Sequence, residues 1–432
     1  MNSNLVLTCL TCDGDTDCRI GFSNRRIQQL QFSCPHCTTP IELTLDITNA
    51  PGYELTFKNC EPREGHQYGL FDGRNPFVDL HLDFPVAFGQ YVMGLTPFMA
   101  AMGRIEAGQG DAMQAHAALH LFNEKLDRLN EFSDKSDEVK TAIRLYFGKN
   151  KQLFKKRVEQ LLDRNLGPSL LPQDVNAALY TLVSHCFKPL IHHESVRDFV
   201  EATTDMIRGL AQNMPEAFEA FMANIIDTGF LLNIQRDSLE VYPEIYTAEI
   251  ALRPAIFLDF VNESEEQMIA GRVSTSDFPV YKDLYKDLCE ILGRQLILVA
   301  GINNLINRGD YNTFAATKDG PGLSSLDKFA EKTLTEKFKY LDDCWFNFGR
   351  DAVNAGIRNA IAHHITEYDE GSQLIRYFPD KDGIRQDKAQ TMTFLAFVRL
   401  ILQVFREIHY LHHVIKCFLN YEMLIRSKRA NQ

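Results

Sequence analysis

Apolar and polar positions along this chain repeat mostly at helical spacing. Residues three and four apart align apolar side chains over 111–132, 136–164, 173–187, 194–213 and 215–235, and Pro or Gly separates these runs. A long helical run follows from Pro279 to Arg308, then a loop from Gly309 to Leu323 that contains Gly320-Pro321-Gly322. Helix resumes from Ser324 toward His363, with a break near Leu341–Asp343. The final helix is expected over 388–427, where Leu395, Val398, Ile401, Leu402, Phe405 and Ile408 form one apolar face. Strand-like alternation is confined to the N-terminal region and a few short stretches. One of these is a hairpin in which 365–368 and 374–378 flank the turn Asp369-Glu370-Gly371-Ser372. Residues 239–259 fit strand and helix equally. The expected fold class is mainly α.

Punctuation along the chain suggests its division. Pro51-Gly52, Asp72-Gly73 and Asn75-Pro76 mark residues 49–83 as a linker after a small N-terminal unit, 1–48. A helical middle domain, a candidate sensor or regulator, takes 84–278, and the last domain takes 279–432.

With 432 residues and 45% apolar content, the chain can bury more than one core. Arg399 and Arg406 interrupt the longest apolar helix, so no membrane span is expected. The opening MNSNLVLTCLTC lacks the basic segment of a secretory signal, which places the protein in a reducing cytoplasm. A net charge of −12 argues against a protein that coats nucleic acid along its whole surface. The charge is uneven, however. Residues 280–432 carry 21 Lys and Arg against 19 Asp and Glu, a balance of +2, which leaves −14 for the rest. The C-terminal part is therefore the expected place for a polyanion.

Four of the ten cysteines stand in two CxxC pairs, Cys9-Leu-Thr-Cys12 and Cys34-Pro-His-Cys37, with 21 residues between them. Each pair sets two thiolates on one side of a tight turn, and together they complete a tetrahedral Zn²⁺ shell. Such a shell has no open position, so the zinc is structural, standing in for the core that a 40-residue unit lacks. Cys18 is an alternative to Cys12, although the spacing favours the regular pair. A thioredoxin-type redox role lacks the surrounding βαβ pattern.

The second chemical feature is Gly356-Ile357-Arg358-Asn359-Ala360-Ile361-Ala362-His363-His364, at the end of an expected helix. Val353, Ile357, Ala360 and Ile361 face a core and leave Arg358 and His363 as polar groups. Five residues turn about 140° around an ideal helix, so the pair converges only where the last turn loosens, or across two subunits. Histidine exchanges protons near neutral pH, and arginine presents a planar, permanently charged fork to phosphate oxygens. The bland alternative is an arginine at a helix end beside a satisfied polar histidine.

Arg358-Asn359-Ala360-Ile361-Ala362-His363 resembles the signature of the HEPN superfamily, which is Arg, a polar residue, three further residues and His. The resemblance covers about 280–430. It implies a C-terminal four-helix bundle with a β-hairpin insertion, usually dimeric, that cleaves RNA without a metal. In that chemistry the ribose 2′-OH attacks the adjacent phosphate and leaves a cyclic phosphate and a 5′-OH. The implied catalytic set is Arg358 and His363 with Asn359 in support, and His364 fits a spacing one residue longer. Asp342, Asp343 and Glu290 are candidates for a supporting acid. The family implies a toxin or anti-phage defence effector with an RNA substrate, a homodimer and a phage- or host-derived trigger. The rivals are a non-catalytic HEPN module for RNA binding or dimerisation, and a regulator acting through the zinc ribbon.

Weaker groupings add little. His409, His412 and His413 share a helix face, but packing or solvent exposure is a more economical reading than metal ligation. Lys149, Lys151, Lys155, Lys156 and Arg157 form the densest basic run, read as a solvated face. Neither a phosphate-binding P-loop nor a GxSxG elbow occurs.

Overall fold

The computed structural model describes residues 1–63, 70–86, 88–89, 91–109, 111–262, 272–275, 278–318, 320–349, 352–379 and 388–430. Helix accounts for 57% of the chain, which agrees with a mainly α protein carrying small N-terminal sheets.

Eight strands come first: β1 (Asn2–Cys9), β2 (Asp15–Gly21), β3 (Ile27–Ser33), β4 (Pro40–Asp46), β5 (Glu54–Lys58), β6 (Cys60–Pro62), β7 (Phe77–Leu80) and β8 (Phe88–Gly89). They form a five-stranded sheet, ordered β6-β1-β2-β7-β8, and a three-stranded sheet, ordered β3-β4-β5. Alternation decides which faces meet. Leu30 and Phe32 of β3 and Ile41, Leu43 and Leu45 of β4 turn inward, and with Leu5, Leu7, Ile20, Val78 and Leu80 of the larger sheet they make one buried cluster. Residues 49–83, expected as a linker, thus supply β5, β6 and β7. Their turn dipeptides close loops between strands. Nor is the N-terminal region short of a core, because two sheets share one.

The helices are α1 (Pro97–Gln109), α2 (Ala112–Asp134), α3 (Ser136–Phe147), α4 (Lys151–Leu162), α5 (Pro172–Cys186), α6 (His193–Asn213), α7 (Pro215–Asp227), α8 (Phe230–Glu244) and α9 (Glu249–Phe257). Then follow α10 (Phe278–Arg308), α11 (Leu326–Ala330), α12 (Leu334–Phe338), α13 (Ala355–Ala362) and α14 (Phe394–Tyr421). Residues 239–259, ambiguous by pattern, are helical. Between α13 and α14 lie β9 (Thr366–Asp369), β10 (Leu374–Tyr377) and β11 (Gln390–Thr393), in the order β11-β10-β9. The expected hairpin is therefore present with a third strand, and the last helix begins at Phe394 rather than 388.

The run expected to be helical from Ser324 toward His363 breaks at Leu341–Asp343, as its pattern indicates, and is divided once more between α11 and α12. Thr333 and Glu336 form a capping box that starts α12 afresh. Beyond α12, side chains of α10 satisfy the backbone in place of helical bonds: Asn303 donates to Asp342 O at 2.8 Å and accepts from Trp345 N–H at 3.3 Å. Where four helical segments are expected for a bundle, five unequal helices stand among the described residues from Phe278 to Tyr421, with 31 residues in α10, 28 in α14, eight in α13 and five each in α11 and α12. By length and composition α10 passes as a membrane span, yet 72% of its apolar window is buried within the protein.

The chain forms two compact units, each assembled from three segments. The first contains 1–131, 247–283 and 356–402, and the second 132–246, 284–355 and 403–432. The sheets, α9, α13 and the β9–β11 sheet belong to the first. One charged node sits in its interior: Arg253, fully buried on α9, donates to Glu249 at 2.5 Å, Asp83 at 2.8 Å and Ser23 at 3.2 Å. Burying a guanidinium is tolerated only because these partners neutralise it.

In the second unit, α14 presents His409, His412 and His413, all buried. His409 pairs with the Tyr242 hydroxyl at 2.8 Å and with His413 at 3.2 Å, and His412 meets the Tyr180 hydroxyl at 3.2 Å. These histidines are core polar groups, so of the two expected fates, packing and solvent exposure, it is packing that holds. The basic run is not one solvated face, since Lys155 is buried and donates to Gly167 O and Ser169 O.

Candidate functional site

The two CxxC pairs occupy the turns of two hairpins in different sheets. Cys9 ends β1 and Cys12 lies in the β1–β2 turn, while Cys34 follows β3 and Cys37 precedes β4. Both turns are built alike. Asp13 N–H donates to Cys9 O and Thr38 N–H to Cys34 O, each at 2.9 Å. Cys9 N–H donates to Gly14 O at 3.0 Å, and Cys34 N–H to Thr39 O at 2.9 Å. The residue after each second cysteine is left-handed, with φ of 57° at Asp13 and 63° at Thr38. Each knuckle therefore folds by local backbone bonds.

The knuckles also touch. His36 Nε2 lies 2.9 Å from Asp15 O, and its ring covers Gly14 so closely that a Cβ there would fall 2.5 Å from Cδ2. This contact helps place four thiols in one cluster. Cys9 Sγ is 3.7 Å from Cys37 Sγ, Cys12 Sγ is 3.8 Å from Cys34 Sγ, and all four sulfurs lie within 4.8 Å of one another. A tetrahedral zinc with bonds of about 2.3 Å separates its sulfurs by about 3.8 Å, so the donor set fits that ion. Among the described residues it is the single group of three or more potential ligands that converge.

Two further thiols lie nearby without joining the shell. Cys18 is buried in β2 opposite Leu5, and it is Cys12 that belongs to the converging four. Cys60 stands opposite Cys9 in the β1–β6 ladder, and burial, then the neighbouring Cys9, push its thiol up to about 12. As free thiols the cluster would ionise unevenly. The Thr39 side chain and backbone N–H bring Cys37 down to about 6. Cys12 stands at about 12, where the Gly14 backbone N–H that lowers it is outweighed by Cys37, burial, Cys34 and Cys9. The four cysteines that converge are those the CxxC spacing singles out, whereas Gly14, His36 and Thr39 were not; the residues flanking each second cysteine were the available signal.

The Arg-His motif occupies α13. Ile357, Ala360 and Ile361 are buried, as the apolar spacing requires, whereas Val353 is half-buried and precedes the helix. Arg358 is half-buried, and its guanidinium Nη1 donates to Asn359 Oδ1 at 3.3 Å. The helix then stops in a way that separates the two histidines. His364 adopts φ of 57°, its N–H donates to Ile361 O at 3.2 Å, and Ile365 N–H donates to Ala360 O at 2.9 Å. This is the Schellman arrangement, with His364 in the left-handed position usually held by Gly. His363, one residue earlier, caps the helix, and both imidazoles are exposed.

Of the candidate acids, Asp342 pairs with Arg308. Asp343 takes a left-handed backbone with φ of 43°. Glu290 lines a groove between α3, α8 and α10. No protein-family model, curated protein or solved structure matches the chain.

Proposed function

We propose that this protein is a metal-independent endoribonuclease of the HEPN type, acting as a homodimer in a toxin or anti-phage defence role, with a structural zinc in its N-terminal sheets. The observation that carries this reading is the end of α13. There Arg358 is held by Asn359, while His363 five residues later presents an exposed imidazole. One helix terminus thus carries a phosphate-binding fork and an exposed proton-transfer group, and because the helical bond from His363 N–H to Asn359 O keeps them about 140° apart around the axis, a second copy of the chain is needed to complete the site.

In this chemistry one His363 removes the 2′ proton as the ribose oxygen attacks phosphorus. Arg358 stabilises the negative charge that gathers on the equatorial phosphate oxygens, the role for which a permanently charged, bidentate donor is suited. The bond to the 5′ oxygen breaks as the His363 of a second copy supplies its proton, leaving a 2′,3′-cyclic phosphate and a 5′-OH. Asn359 keeps the guanidinium oriented and does not exchange protons. Four thiolates fill the zinc shell, so the metal takes no part in this step.

Expression of wild type beside Arg358→Ala and His363→Ala, with growth and total RNA followed, tests the reading. Wild type should arrest growth and yield discrete RNA fragments with cyclic phosphate ends, formed in vitro in EDTA. Each substitution should reduce cleavage by at least about a hundredfold while folding persists. Equal cleavage in Arg358→Ala would overturn the assignment, and RNA binding without cleavage by wild type would leave a non-catalytic module.

A further inference from the structure

The exposed face of α2 serves neither the thiolate cluster nor the Arg-His motif. Its opposite face is fixed by Ala115, Phe122, Leu126 and Leu129, all buried, which holds the helix as a rigid support. On the exposed side stand His116 and His120. Four residues advance about 40° around a helix and about 6 Å along it, so both imidazoles leave from one side. They line a shallow concavity with Ala112, Met113 and Ala117, a set without a charged side chain. Neither imidazole has a hydrogen-bond, ion-pair or ring partner among the described residues.

We propose that His116 and His120 form a second metal site, for a borderline divalent ion of the zinc or nickel class. Their spacing is that by which two histidines on one helix face share a zinc ion in HExxH motifs. Imidazole is the donor that suits Zn²⁺, Ni²⁺ and Cu²⁺, in contrast to the thiolates of the first site. Ala112 and Ala117 leave room beside the rings, and the absence of a lysine or arginine in the lining avoids repulsion of a cation. Two imidazoles fill only part of a coordination shell. The remaining positions are open to water or to a donor from another molecule, unlike the closed four-thiolate shell. The site stands on this geometry alone and is independent of the ribonuclease reading.

The test uses full-length protein with its thiolate site already loaded with zinc, titrated with Ni²⁺ by calorimetry. Wild type should show one additional site per chain. His116→Ala and His120→Ala should each weaken it by at least about tenfold, since even outer-shell changes around a metal have effects of that size. The double variant His120→Ala/Leu121→His keeps the number of histidines and turns one imidazole about 100° around the helix, so it should not restore binding. Circular dichroism verifies that these surface changes leave the fold intact. Three outcomes would overturn the proposal: no additional Ni²⁺ in wild type, unchanged binding in His116→Ala, or loss of the site in His363→Ala instead.

Discussion

The side-chain amide of Gln373 donates to Val273 O and accepts from Val273 N–H, both at 2.9 Å, although 100 residues separate the two. This amide replaces a neighbouring strand at the tip of the hairpin that follows Arg358 and His363. Next to Val273, Ser274 O accepts from Gln31 N–H at 2.7 Å, in the strand that leads to Cys34. Gly371, in the same hairpin turn, lies against the Thr38 methyl of the second knuckle; a Cβ on it would be 3.7 Å away. The thiolate cluster and the hairpin after the Arg-His motif are thereby joined within one unit.

Gln373→Ala should therefore destabilise the protein by about 2 kcal/mol, because it leaves two buried backbone groups of Val273 without partners. Urea unfolding measures this. A midpoint equal to that of wild type would mean that water serves Val273 equally well.

Purified protein should contain about one zinc per chain, and Cys34→Ser should lower that content. Because two sheets already share a core, chelation should lower the melting temperature yet preserve most helical circular dichroism. Collapse of the helical signal on chelation would show that the metal carries the whole fold.

Left-handed residues other than glycine offer a second test of local geometry. Thr38 is β-branched at φ 63° and His364 sits at φ 57°. Thr38→Gly and His364→Gly should each raise stability by about 1 kcal/mol, as relief of the Cβ clash outweighs the added freedom of the unfolded chain. Thermal melts of the zinc-loaded variants decide it, and His364→Val should shift the melt downward.

Acidity should act through groups buried around α14. Burial, followed by neighbouring charges, holds His412 and His413 well below the ordinary value of 6.5, so the unfolded chain takes up protons that the native state refuses. Their contribution is complete above about pH 6.5 and is lost as the pH falls. Glu407 acts oppositely: burial, against the lowering Gly349 N–H, lifts it from 4.5 to about 7, so its contribution is lost as pH rises through that interval. In Glu407→Gln this opposition disappears. Between pH 5 and 6.5 its stability should climb more steeply than that of wild type, by up to about 1.4 kcal/mol per pH unit. Parallel pH profiles from denaturant midpoints would remove Glu407 from the account.

The sequence by itself determined features that depend on neighbours a few residues away. Helical runs such as 173–187 and 194–213 follow from periodicity, and the observed α5 and α6 differ by only a residue or so at their ends. The four clustered cysteines were legible because each CxxC turn closes on its own backbone. Only the tertiary structure decided how distant segments complete one another. Residues 49–83 read as a linker because their turn dipeptides look the same in a hairpin; pairing of Leu43 with Phe57 and of Cys18 with Val78 makes them sheet. The run after Ser324 keeps helical periodicity yet breaks, because Asn303 offers its backbone a different partner. Lys155 and the α14 histidines look like surface groups by type, and they are buried because carbonyls and tyrosines from other segments satisfy them. Periodicity records which side of an element faces inward. Which carbonyl, hydroxyl or amide waits there is set by chain segments up to hundreds of residues away, and a buried polar group exists only where that partner has been brought to it.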